Sequence, residues 1–122
     1  MAGVPDGSGG LPALAGSTCR RCGLVAYPAE RYGCERCGAP PVELAPTALA
    51  PTGTVRSSAT VHRHRAADPP VPFVVVEVVL DAGPVLRALL ADPDAAGRPP
   101  DGARVVGAAS GGRLAFAPVD HR

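Results

Sequence analysis

The feature that most limits what this chain can become is a repeated cysteine pair. Cys19-Arg20-Arg21-Cys22-Gly23 and Cys34-Glu35-Arg36-Cys37-Gly38 are separated by 11 residues and use all four cysteines of the protein. Two disulfides, or a C-x-x-C redox pair, are the alternatives for such a pattern. Paired C-x-x-C repeats with a glycine after each favour a tetrahedral zinc site with four thiolate ligands. In a zinc knuckle the chain turns back after the second cysteine and aims backbone N–H groups at sulfur. Glycine accepts the positive φ that such a turn needs. Four protein ligands leave no position for substrate, so Cys19, Cys22, Cys34 and Cys37 are expected to hold Zn²⁺ structurally. The thiolates would leave a net negative charge, which Arg20, Arg21, Arg31 and Arg36 are placed to offset unless they serve as ordinary surface residues.

At 122 residues the chain suits one compact domain with a small appendage. All twelve basic residues are arginine and the net charge is +1, which gives no general attraction to nucleic acid or acidic membranes. No segment approaches the ~20 apolar residues that cross a bilayer. The start of the chain has neither a basic region nor a continuous apolar run of the secretory type. Thiolates on zinc fit a reducing compartment, so a cytoplasmic protein is expected.

Residues 1–18 are rich in glycine and proline and read as a flexible lead-in, 19–45 as a zinc ribbon, and 46–122 as a barrel. Residues 39–51 hold four prolines and read as a semi-rigid linker. Beyond it the signal is β. Segment 53–65 alternates, with Val55, Ser57, Ala59 and Val61 expected on one face and Arg56, Ser58, Thr60, His62 and His64 on the other. Segment 73–80 (FVVVEVVL) is β-branched and apolar, which predicts a central strand. Segment 85–90 is ambiguous between strand and helix; the turn at Asp81–Pro84 favours a strand. Strands over 103–109 and 113–119, joined at Ser110-Gly111-Gly112, complete five. The fold class is therefore mostly β: a zinc ribbon followed by a helix-poor, five-stranded barrel of the OB type.

Few residues offer chemistry. His62 and His64 share a strand face but have no third ligand nearby in sequence, which favours a solvated polar face over a metal site. Glu77 interrupts an apolar strand and is expected to face solvent or pair with an arginine, because an unpaired buried charge costs several kcal/mol. Ser57 and Ser58 lie in no nucleophile motif. No phosphate loop, dinucleotide fingerprint or H-E-x-x-H is present, and no catalytic residue is assigned.

The order C-R-R-C-G-L-V-A-Y-P … C-E-R-C-G, then G-T-V-R-S-S-A-T-V, P-F-V-V-V-E-V-V-L-D-A-G and G-G-R-L-A-F-A-P-V resembles a family of small proteins. These carry a rubredoxin-like zinc ribbon and an OB-fold, and were formerly filed as a domain of unknown function. The resemblance covers residues 17–119. It implies a non-catalytic subunit that accompanies thiolase-like, aldolase-like or hydratase-like enzymes acting on acyl-CoA and helps form the channel for CoA. Family members usually carry a helical segment before the ribbon, where this chain has a Gly/Pro-rich stretch. Arg56, Arg63 and Arg65 form the most basic segment and are the candidate contacts to CoA phosphates, since arginine matches phosphate oxygens bidentately; an exposed strand end is their alternative. A single-stranded nucleic-acid module is the competing function. It is disfavoured by only two Phe, two Tyr and no Trp, where such modules use stacking aromatics and a positive groove.

Overall fold

The computed structural model describes residues 13–63, 65, 69, 71–91, 98–110 and 113–119. Eight strands follow in order: β1 (Leu14–Cys19), β2 (Val25–Ala26), β3 (Leu44–Leu49), β4 (Thr52–Val61), β5 (Phe73–Leu80), β6 (Val85–Leu90), β7 (Arg104–Ser110) and β8 (Arg113–Pro118). A 3₁₀ turn at Pro41–Glu43 leads into β3. The first three strands form a sheet in the order β2-β1-β3, and the last five close into a barrel in the order β4-β5-β6-β8-β7. All barrel pairings are antiparallel except β6 with β8, which run parallel. The protein is mostly β, and the barrel has the five strands expected. Among the described residues no helix is long and apolar enough to cross a membrane.

β5 shows why these residues build a barrel. Its β-branched side chains suit a pleated surface packed on both sides. Val74, Val76, Val78 and Leu80 are buried inside, while Val75, Glu77 and Val79 lie half-buried outside. Val55, Leu90, Val105 and Phe116 complete the interior, and Val76, Val78, Val105 and Phe116 are wholly buried. Gly53 permits the close crossing of β4 over β5: a Cβ there would lie 2.7 Å from Val78 Cγ1 and 3.0 Å from Leu80 Cα.

Two regions differ from expectation. Leu14–Cys19 is a strand, where the sequence reads as the end of a lead-in, and the Leu44–Leu49 part of the expected linker is strand β3. The two pair along their whole length, from Leu14 opposite Leu49 to Cys19 opposite Leu44. Pro46 is tolerated because β3 is an edge strand, where a missing N–H breaks no ladder on the open side. Leu14 and Leu49 belong to the same buried cluster as the barrel side chains, so the ribbon sheet closes part of the barrel core. The knuckles have their own small cluster of Cys19, Cys34 and Ala39, flanked by Cys22, Leu24 and Leu44.

The second difference is in β4. The pairing with β5 shifts register between Val55 and Ser57, so Arg56 is an extra residue in the strand. Such a bulge reverses the alternation beyond it, because side chains alternate with period 2. Val55 is inside as expected. Ser57 and Ala59 are exposed, opposite Glu77 and Val75, whereas Ser58 and Thr60 lie opposite the buried Val76 and Val74.

The β5–β6 turn is tied to the barrel seam by charge. Arg104 grips Asp81 with two bonds, Nη1 to Oδ1 at 2.7 Å and Nη2 to Oδ2 at 2.9 Å, and Thr52 Oγ1 donates to Oδ2 at 2.7 Å. The Arg104 guanidinium, helped by Thr52, holds the Asp81 carboxyl down at about 2. In the unfolded chain an aspartate titrates near 4. The depressed value therefore adds stability above about pH 4, and that contribution is lost as pH falls towards 2. Both side chains are more than a third exposed, at 47% for Asp81 and 40% for Arg104, so solvent limits the effect to about 1 kcal/mol or less. Asp81→Asn is expected to lower the urea midpoint at pH 7 and to approach the wild-type midpoint at pH 3. An equal deficit at both pH values would show that the ion pair is not its source.

Candidate metal centre

The two knuckles repeat one backbone pattern. Gly23 N–H donates to Cys19 O at 2.8 Å and Cys19 N–H to Leu24 O at 2.9 Å; Gly38 N–H donates to Cys34 O and Cys34 N–H to Ala39 O, both at 2.9 Å. Gly23 and Gly38 have φ of 81° and 78°, the left-handed conformation that favours glycine. The shared C-x-x-C-G pattern thus gives matching turns. N–H groups of Arg21 and Cys22 point at the Cys19 sulfur, that of Leu24 at Cys22, and that of Ala39 at Cys37.

The turns bring all four sulfurs within 4.8 Å of one another. Cys19 and Cys37 Sγ are 3.6 Å apart, as are Cys22 and Cys34 Sγ. Disulfide sulfurs lie about 2.05 Å apart, and all four cysteines are free. A tetrahedron with Zn–S distances of about 2.3 Å has edges of about 3.8 Å, so the set fits a zinc-sized thiophilic cation. Cys19 and Cys34 are buried, Cys22 is half-buried and Cys37 exposed. The sulfurs titrate unevenly. The Leu24 N–H and then Arg36 bring the Cys22 thiol down to about 6. At Cys37 the Ala39 N–H favours the thiolate, but lost hydration and three neighbouring sulfurs prevail and push it up to about 12.

The four nearby arginines have separate roles. Arg36 reaches from the second knuckle to the first, where Nη2 donates to Cys22 O at 2.7 Å, and it also bonds the Cys22 sulfur. Arg20 donates to Val42 O at 3.1 Å, Arg21 faces Glu43 at 3.9 Å, and Arg31 lies over the Tyr32 ring. Arg36 is thus the arginine that meets the cluster's negative charge, a distinction that sequence spacing does not make.

The remaining candidates are scattered. Arg56 Nε is bound to Glu77 Oε1 at 3.0 Å; Arg63 and Arg65 are exposed. His62 is exposed, and His64 lies outside the described residues. Glu77 has the arginine partner expected of it, and a second besides. Arg87 Nε lies 3.5 Å from Oε2, and Ser57 Oγ donates to Oε1 at 3.1 Å. Arg56 is the chief cause of the lowered Glu77 carboxyl. The bulge puts Arg56 and Ser57 on the same carboxylate, which a strict period-2 reading of β4 misses.

No protein-family model matches the sequence, and a search of curated proteins finds no match. Among solved structures, the fold is similar to a chain from a structure described as "Ltp2-ChsH2(DUF35) aldolase". The TM-score is 0.67 and the identity 26%, over 87% of this chain and 84% of that one.

Arg36→Gln is expected to weaken zinc binding about 10-fold or more in chelator competition, as loss of an outer-shell partner generally does, with Arg36→Lys recovering part of it. An unchanged affinity would reduce Arg36 to a surface residue. Cys34→Ser is expected to lower zinc content below one per chain and reduce the melting temperature, while most of the β signal in circular dichroism remains because the knuckle cluster of Cys19, Cys34 and Ala39 is separate from the buried cluster of the barrel. Loss of the whole β signal would show that the barrel depends on the metal.

Proposed function

We propose that this protein is a non-catalytic accessory subunit that binds a thiolase-superfamily, aldolase-like or hydratase-like enzyme acting on acyl-CoA and helps form its CoA channel. The observation that carries this reading is the likeness, over 87% of the chain, to a DUF35-type chain of an aldolase structure. The chemistry of the site agrees with it. A metal held by four cysteines has no free position to polarise a substrate. Ser57 donates to a Glu77 already engaged by two arginines, and Thr52 to an Asp81 gripped by Arg104, which are structural arrangements and not a nucleophile with its base. Under this reading the chain divides into a ribbon and a barrel. Arg63 and Arg65 remain available to CoA phosphates, whereas Arg56 is committed first to Glu77.

Nucleic-acid binding has less support. Of the barrel aromatics, Phe116 is wholly buried and Phe73 half-buried, so neither forms the exposed stacking platform that single-strand binders use.

Affinity purification of the tagged full chain from its own cells, with mass spectrometry and metal analysis of the same sample, tests the proposal. A thiolase-, aldolase- or hydratase-type enzyme in near-equal amount, with one zinc per chain, is expected. A chain recovered alone, or with salt-sensitive nucleic acid, would overturn it.

A further inference from the structure

Among the described residues, β6 and β8 form a short seam and leave an open edge. They pair only at Leu89–Ala115 and Leu90–Phe116, whereas β6 continues beside β5 from Val85 to Leu89. Val85 to Ala88 therefore have a strand neighbour on one side and no β8 partner on the other. Ribbon residues stand beside this edge, with Tyr27 packed against the barrel cluster. Tyr27, Pro28, Val85, Leu86 and Leu114 wall a cleft of about 550 Å³, and Glu77 and Arg87 stand at its polar margin. A second recess of about 300 Å³, lined in part by Ser57, Ala59 and Val75, shares Glu77 and Arg87 with the first.

The shared margin is a preorganised cationic pair. Glu77, 17% exposed, holds Arg56 and Arg87 by their Nε atoms. Arg56 is 57% exposed and Arg87 77%, and among the described residues their terminal Nη groups have no partner. The carboxylate hydrogen-bonds Arg56 at 3.0 Å and lies 3.5 Å from Arg87, so it draws two guanidinium forks to one place where they can meet an anion together. The triad carries a net charge of +1. That suits a carboxylate better than a dianionic phosphate, which Glu77 would repel. The apolar walls and the open edge of β6 suit extended polypeptide, because an added strand satisfies edge N–H and C=O groups while its side chains enter pockets.

We propose that this cleft receives an extended, acidic segment of the partner enzyme, laid along the free edge of β6 with a carboxylate held between Arg56 and Arg87. The inference rests on the accessory-subunit reading and adds to it the surface and the chemistry of recognition. It gives the bulge at Arg56 a purpose, since without the extra residue the alternation of β4 would not place Arg56 and Ser57 together on Glu77.

The test uses the full chain purified with its partner. A photoreactive p-benzoylphenylalanine in place of Val85 is expected to cross-link to a partner peptide rich in Asp or Glu. The same group in place of Tyr32, on the ribbon, reports a competing surface. Arg87→Gln is expected to weaken the complex at least tenfold and flatten its salt dependence, with unchanged zinc content and melting temperature. Arg87→Lys should recover part of the affinity. The double variant Arg56→Gln/Arg87→Gln should lose the complex at physiological salt. A wild-type chain that brings no partner overturns both the accessory reading and this one. A wild-type chain that binds a partner regardless of the arginine variants, or cross-links from Tyr32 and not from Val85, overturns this inference alone.

Discussion

Four thiolates within 4.8 Å of one another are mutually repulsive, and the ribbon depends on relieving that repulsion. Inward-pointing N–H groups and the Arg36 guanidinium do part of this, and a cation held by the four sulfurs would do the rest. The strands that carry the knuckles inherit the order. β1 ends at Cys19, whose N–H bonds Leu24 O, and Arg20 N–H continues to Glu43 O just before β3 begins. The knuckle hydrogen bonds and the strand pairing thus stabilise the same short piece of backbone.

The ribbon and the barrel strands were legible in the sequence for opposite reasons. The knuckles are local: C-x-x-C-G fixes its own hydrogen bonds, whatever surrounds it. The barrel strands are recognisable because runs such as FVVVEVVL have few alternatives to a buried strand. What escaped notice was non-local or concealed by composition. β1 and β3 contain Gly16, Pro46 and several alanines, a composition that reads as linker, and their strand character comes from pairing with each other across about thirty residues of chain.

The bulge at Arg56 is a subtler case. Val55, Ser57, Ala59 and Val61 alternate as well as any strand, and nothing in their identities marks the skipped position. Only the partner strand exposes it, through the pairing of Val55 with Val78 and of Ser57 with Glu77. The expectation that Glu77 faces solvent or pairs with an arginine followed from the cost of a buried charge. Which arginines answer depended on that register. The candidate phosphate contacts Arg56, Arg63 and Arg65, within ten residues of one another, consequently have different circumstances: the first is engaged by a carboxylate, and the other two have no such bond among the described residues.

The sharing of Leu14 and Leu49 with the barrel interior has a consequence for how such a protein can change over evolutionary time. A zinc ribbon that folds on its own can be moved between proteins as a cassette. Here the strands flanking the knuckles supply two of the barrel's packed side chains, so exchanging the ribbon would open a hole in a core of tightly packed valines. The two parts are constrained to drift together. Substitutions that retune one surface for a new partner must respect the packing of the other, and lineages of this architecture should diversify at exposed positions such as Tyr32, Val42 and Arg87 rather than by swapping whole modules.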